Sequence, residues 1–279
     1  MERTLALETG PGTPADGPAE HSVFFIGNAT VLLRFGGFTV LTDPTFVHRH
    51  ERVPLGYGLH TKRLTDPACD IADLPALDFV LLSHFHGDHF DEVAERELNK
   101  DLPIITTPQA REQLAERGFG NTYGLDTWQS LTVTKGLSRM RLTACPGRHG
   151  PGITDLVLPD VMGTVLECEP ESGGRRQVYI SGDTLVFDRL HEIPERFPGI
   201  DLALLHLGGT RIMGILVTMD ADQGVEAFDI IGPKTAIPVH YDDYDVFTSS
   251  LEEFLDAAAA AGIRDRIRPL ERGETYMFQ

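Results

Sequence analysis

The run Ser83-His84-Phe85-His86-Gly87-Asp88-His89 constrains this chain more than any other feature, and it follows directly on the apolar stretch Phe79-Val80-Leu81-Leu82. Three imidazoles and one carboxylate fall within the six residues from His84 to His89. His84 and His86 stand two apart, so in extended chain both point to one side. Gly87 lets the backbone turn sharply, and Asp88 and His89 are expected at the start of a following helix. One short loop can then present donors to two adjacent metal ions. Imidazole suits zinc, iron, manganese or nickel, and a carboxylate adds a hard, charged ligand. A merely solvated His-rich loop would not need a buried strand in front of it.

Three further residues fit the same scheme. His149 follows the strand-like run that ends in Ala144-Cys145, Asp183 follows Tyr179-Ile180-Ser181-Gly182, and His240 follows Ile237-Pro238-Val239. Each lies at the C-terminal end of an apolar segment, where α/β sheets place ligand groups.

The 279 residues suit one large two-layer α/β domain with a substantial core. The net charge of −18 repels phosphate backbones, so a nucleic-acid partner is not expected. A small anionic substrate stays open, because metal ions invert the local field. Cys69, Cys145 and Cys168 form no CxxC pair, which reads as reduced structural thiols in a cytoplasmic protein. The chain has no apolar run of about 18 residues, so no membrane span is expected. A homo-oligomer is compatible with all of this.

Residues 1–20 are rich in Gly, Pro, Ala and acids, which predicts a mobile arm, with order beginning near Ser22 and a single domain over 21–279. The segments SVFFI, TVLLRF and FTVLT read as strands, and Gly36-Gly37 separates the second from the third. A long polar loop runs from Pro44 to about Pro75. Helices are expected over 89–99, 108–117, 220–231 and 250–261. Strands are expected at 103–105, 131–134, 139–144, 161–168, QVYISGD, LALLHL, TAIPVH and TYMF, with a hairpin at Gly173-Gly174. The order is strands, then alternating strand and helix, twice over. That implies two sheets packed face to face with helices outside.

His84-Phe85-His86-Gly87-Asp88-His89 resembles the HxHxDH signature of the metallo-β-lactamase superfamily. Thr42-Asp43-Pro44, Pro146 to His149, Ser181 to Thr184 and Val239-His240 resemble its other motifs, in the same order, so the likeness spans about Ser22 to Phe278. The resemblance implies a four-layer αββα sandwich of mixed sheets. It implies that His84, His86 and His149 hold one ion, that Asp88, His89 and His240 hold a second, and that Asp183 bridges them. The ions are two divalent metals, zinc favoured, with manganese or iron as alternatives. Asp43 would orient a ligand imidazole from behind.

A narrower likeness lies in Phe25-Ile26-Gly27-Asn28-Ala29-Thr30-Val31-Leu32-Leu33, in Thr218-Met219-Asp220 and in Pro233-Lys234 before His240-Tyr241. These are similar to the branch that contains ascorbate-phosphate lactonase and N-acyl-phosphatidylethanolamine phospholipase D. Asn28 stands where many of those relatives carry His or Gly.

The implied activity is hydrolysis of an ester, lactone or phosphodiester bond of a small molecule. Paired ions make hydroxide available near neutral pH, and Asp88, with Asp183, would carry the proton chemistry. Substrate selection falls to surrounding loops. The candidates are Arg52 and Tyr57 in the 44–66 segment, Arg148, His206, for which a buried structural role is the equal alternative, and Tyr241; His21 and His191 read as surface residues. A mononuclear iron oxygenase, and a metal-binding protein without turnover, are the competing readings.

Overall fold

The computed structural model describes residues 3–8, 21–56, 58–152, 154, 157–169 and 174–279. The first half of the chain runs β1 (Arg3–Leu7), β2 (His21–Gly27), β3 (Thr30–Phe35) and β4 (Phe38–Thr42), then a small hairpin of β5 (Arg52–Gly56) and β6 (Leu59–Lys62). It continues with β7 (Phe79–Leu81), α1 (Glu92–Glu97), β8 (Ile104–Thr106), α2 (Pro108–Glu116) and β9 (Thr122–Gly124). The second half opens with β10 (Ser130–Lys135), β11 (Ser138–Pro146), β12 (Met162–Cys168) and β13 (Arg176–Ile180). After α3 (Glu192–Arg196) come β14 (Leu202–His206), a short hairpin of β15 (Arg211–Ile212) and β16 (Ile215–Leu216), and α4 (Ala221–Ile231). The last elements are β17 (Thr235–Val239), α5 (Leu251–Ala260) and β18 (Thr275–Phe278).

These strands build two seven-stranded mixed sheets. One has the order β1-β10-β11-β12-β13-β14-β17 and the other β18-β2-β3-β4-β7-β8-β9. In each, a hairpin-connected antiparallel part leads into parallel strands joined through helices. The β3–β4 hairpin turns on Gly36 and Gly37, with φ of 56° and 84°, a pair of left-handed residues that side chains resist.

The alternation of each strand sorts its side chains between two cores. Val31, Leu33, Phe38 and Val40 of one sheet face Leu131, Val133, Leu142 and Val178 of the other, forming the central layer. The opposite faces carry Ile26, Leu41, Val80 and Ile104 against Ala94 of α1 and Leu114 of α2. On the other side Val165, Tyr179 and Ala203 meet Ile193 of α3, Phe228 of α4 and Phe254 of α5. Four layers, αββα, result. The helices start where side chains accept from exposed backbone N–H groups: Thr107 from Ala110, Asp220 from Gln223 and Ser250 from Glu253.

The structure corrects several expectations. Arg3–Leu7 is not a mobile arm; it pairs in parallel with β10, and Leu5 enters the central core. Residues 9–20 of that arm, like Gly173 of the hairpin at Gly173-Gly174, lie outside the described residues. His21 is buried, its ring 5.0 Å from that of Phe35 and 5.6 Å from that of Phe278, because it opens a strand at the sheet interface. The helix expected over 89–99 begins at Glu92, since Asp91 caps it and also accepts from the backbone N–H groups of Val47 and Phe46. Asp88 and His89 therefore sit in the turn before it. The expected polar loop after Pro44 contains the β5–β6 hairpin and is anchored by buried Phe46, Val47, Val53 and Arg63, while residues 48–52 and 58–60 are exposed. No described helix is long and apolar enough to cross a membrane.

Candidate metal centre

The parallel strands of both sheets end on one edge of the sandwich, and their C-terminal ends carry the site. Asp43 follows β4, His84 follows β7, Asp183 follows β13, His206 closes β14 and His240 follows β17. His149 lies three residues beyond the end of β11. Sheet pairing thus brings into contact residues as far apart in sequence as Asp43 and His206, 163 positions.

The donors fall into adjoining groups. His84, His86 and His149 form one, and Asp88, His89 and His240 a second. His84, His89 and Asp183 form a third group that links them. His84 Nε2 lies 3.1 Å from His86 Nδ1, and His149 Nε2 lies 3.4 Å from the same atom. In the second group His89 Nε2 is 3.2 Å from His240 Nε2, and Asp88 Oδ2 is 3.4 Å from it. Asp183 Oδ2 stands 3.3 Å from His89 Nε2. Donors around one tetrahedral ion at about 2.0–2.1 Å lie roughly 3.3 Å from one another. The spacing therefore fits ions in both groups.

The outer nitrogens give a second, independent test. His149 Nδ1 donates to Val217 O at 2.8 Å, and His240 Nδ1 to Leu207 O at 3.0 Å. His84 Nδ1 is 3.0 Å from Ser83 Oγ, and His89 Nδ1 is 3.5 Å from Asp43 Oδ2. An imidazole whose Nδ1 carries the proton presents its Nε2 lone pair to the centre. Asp88 Oδ1 and Asp183 Oδ1 are buried without a hydrogen-bond partner, which is costly unless something positive meets them.

Electrostatics divide the two groups. Burial lowers His84 well below its usual value and His86 to about 3, and repulsion from the neighbouring imidazoles adds to both. Burial also lowers His149. Burial would lower His89 and His240 as well, but the Asp183 carboxylate overrides it, with Asp43 at His89 and Asp88 at His240, and both are raised. Burial opposes the ionised form of Asp43, yet His89 and His206 beside it bring its carboxyl down to about 2. Burial thus favours the neutral form in the group of three imidazoles, whereas carboxylates favour the charged form of the imidazoles in the other.

Other expected residues are placed as follows. Asp43 Oδ1 accepts from the backbone N–H of Ser83 at 2.7 Å, while Oδ2 meets His206 Nε2 at 3.2 Å and His89. His206 is buried, its Nε2 on Asp43 and its Nδ1 3.2 Å from Ser181 Oγ. Tyr241 packs in a core, 6.4 Å from the Phe25 ring, with its hydroxyl 3.5 Å from Leu270 O. Arg52 is exposed on the β5–β6 hairpin, paired across from Lys62, and its charge acts on Asp245. Tyr57 lies outside the described residues. Arg148 is half-buried beside His149, its Nε donating to Gly150 O at 3.2 Å.

Gly87 has another role than a sharp turn. A Cβ there would stand 2.4 Å from Pro54 O, so glycine is what lets the β5–β6 hairpin close over the ligand loop, with Gly87 N–H donating to Pro54 O at 3.0 Å. Sequence reasoning gave no role to Ser83, nor to Thr218, whose hydroxyl donates to Asp183 Oδ2 at 3.0 Å. The carbonyls of Leu207 and Val217 left no trace in residue type.

Comparison with known proteins agrees with this geometry. A family model described as the beta-lactamase superfamily domain matches residues 39–241. A UPF0173 metal-dependent hydrolase of Nanoarchaeum equitans is 30% identical over 210 residues, covering 73% of this chain and 87% of that protein. The structure of a possible metal-dependent hydrolase from Veillonella parvula superimposes with a TM-score of 0.79 at 20% identity, covering 94% of this chain and 100% of that one. An isothiocyanate hydrolase from Delia radicum gut bacteria does so with a TM-score of 0.78 at 22% identity, covering 92% and 99%. Fold, donor set and sequence relatives lead to one assignment: the chain belongs to the metallo-β-lactamase superfamily, among its metal-dependent hydrolases.

Proposed function

We propose that this protein hydrolyses an ester, lactone or phosphodiester bond of a small molecule at a centre of two divalent ions, zinc favoured. The observation that carries the reading is the pair of adjoining donor groups joined through Asp183. His84, His86 and His149 would hold one ion, Asp88, His89 and His240 the other, and Asp183 both. When bound, such a pair lowers the pKa of a shared water and polarises the bond to be cut.

The chain's own residues supply the rest. Asp88 Oδ2 lies beside His240 Nε2 among the donors of the second group, which leaves the buried Oδ1 as an acceptor for the proton of an attacking water. Thr218 holds the Asp183 carboxylate in place through its hydroxyl. Asp43 and Ser83 hold the His89 ring, and the Leu207 and Val217 carbonyls hold His240 and His149. Arg148, next to His149, and Arg52, on the hairpin that packs against Gly87, are candidates for an anionic substrate group.

Metal analysis of the purified protein and of Asp183→Ala, with a screen of lactones, phosphodiesters and thioesters, tests this. The wild type should carry about two equivalents and lose turnover to a chelator. Asp183→Ala should stay folded, lose most of one equivalent and be nearly inactive. A single equivalent in the wild type, or two equivalents and full turnover in Asp183→Ala, would overturn the dinuclear reading.

A further inference from the structure

The turn between β2 and β3 is short, buried and wedged beneath the metal centre. Asn28 occupies it in the left-handed region, with φ of 53°, and is wholly buried. Few residues other than glycine accept that conformation, and asparagine is among them. Three hydrogen bonds radiate from this one residue. Its side-chain Nδ2 donates to Asp88 O at 2.5 Å, its backbone carbonyl accepts from His240 N–H at 2.9 Å, and its own N–H donates to Asp243 Oδ2 at 2.7 Å. Because Asp88 O can only accept, the orientation of the amide follows from the contact itself.

The targets are not arbitrary. Asp88 O belongs to the peptide plane that links Asp88 to His89, so gripping it orients two consecutive donors at once. His240 N–H belongs to the third. All three protein donors assigned to the second ion alone therefore hang on Asn28, whereas none of these three bonds of Asn28 reaches His84, His86 or His149. We infer that Asn28 is a positioning residue for the second metal ion, setting its affinity relative to the first by fixing the Asp88–His89 peptide against His240. This rests on the two-metal reading above.

The conformation offers a clean variant. Asn28→Gly keeps φ accessible and preserves both backbone hydrogen bonds, so it removes only the side-chain bond to Asp88 O. Asn28→Asp keeps the shape but places an acceptor against that carbonyl. Apo-protein would be titrated with Zn(II), and separately with Co(II), against a competing chelator. The ring protons of His89 and His240, shifted by bound Co(II), report which site fills. Removal of a group that orients ligands from behind costs roughly 10- to 100-fold in metal affinity. Asn28→Gly should weaken the ion at His89 and His240 by that factor and leave the ion at His84, His86 and His149 unchanged. Asn28→Asp should weaken it at least as much.

Equal weakening of both ions would mark a general loosening of the fold and overturn the inference, as would wild-type affinity for both ions in Asn28→Gly. A wild-type protein that takes up one ion only would overturn the dinuclear reading and this inference with it. Two ions in the wild type with unchanged variants would overturn the inference alone.

Discussion

At the scale of single residues, the centre depends on side chains that hold the candidate ligands in place. Asp43 is the clearest. Both of its carboxylate oxygens are used, one on the Ser83 N–H and one toward His206 and His89. The first ties it to the strand end that carries His84; the second holds the His89 ring. Asp43→Asn keeps the size, and asparagine tolerates the positive φ of 35°. The change removes the charge that favours a proton on His89 Nδ1. We expect metal affinity at the His89 site to fall by roughly 10- to 100-fold, measured by chelator competition, with little change in the folded structure by circular dichroism. Unaltered affinity would show that His89 is held by Ser83 and packing alone.

At the scale of elements, the segment between β4 and β7 is anchored by a buried ion pair. Arg63 Nη2 lies 2.9 Å from Asp243 Oδ1, and both side chains are fully buried. Asp243 also accepts from the Asn28 N–H, and Arg63 also donates to Tyr244 Oη and Thr45 Oγ1. Breaking such a pair from one side leaves a buried charge uncompensated, so Arg63→Met should cost about 3–5 kcal/mol in unfolding free energy. The pair also has a pH signature. Burial alone would raise the Asp243 carboxyl, but Arg63 and Arg272 bring it below the ordinary carboxylate value. A depressed folded-state pKa contributes stability that is complete above about pH 4 and lost as pH falls toward the folded value. In chemical denaturation between neutral pH and pH 3, Asp243→Asn should be less stable than the wild type at neutral pH, and the gap should narrow on acidification. A constant gap would exclude this role for the ionised form.

At the scale of the whole molecule, β1 closes one edge of its sheet. Leu5 joins the central core, and β1 pairs along its own full length with residues 131–135 of β10. Without it, β10 would offer an unpaired edge to other chains. Removing residues 1–8 should lower the unfolding free energy by about 2 kcal/mol or more, the scale of losing one core leucine. It should also raise self-association, read by light scattering over a concentration series. A truncated chain as stable and as monodisperse as the full chain would show that β1 is dispensable.

The ligand run from His84 to His89 was legible because imidazoles and a carboxylate at that spacing have few other uses, and residue type alone announces them. The alternation of strands and helices was legible because burial imposes periods that the chain records. Even the order of Asp43, His149, Asp183 and His240 after apolar segments pointed to one sheet edge. What residue type could not record was decided by contacts between distant segments. The acceptors that orient His149 and His240 are the carbonyls of Val217 and Leu207, and every residue has a carbonyl. His206, Tyr241 and Arg52 carry side chains suited to a substrate, and only tertiary packing sets the first on Asp43, the second in a core and the third on the β5–β6 hairpin. Arg3–Leu7 pairs with residues 131–135, more than a hundred positions away, and its polar surroundings in sequence conceal the edge it completes. Local chemistry is written in side chains. Which backbone group stands behind each of them is settled only when the two sheets close.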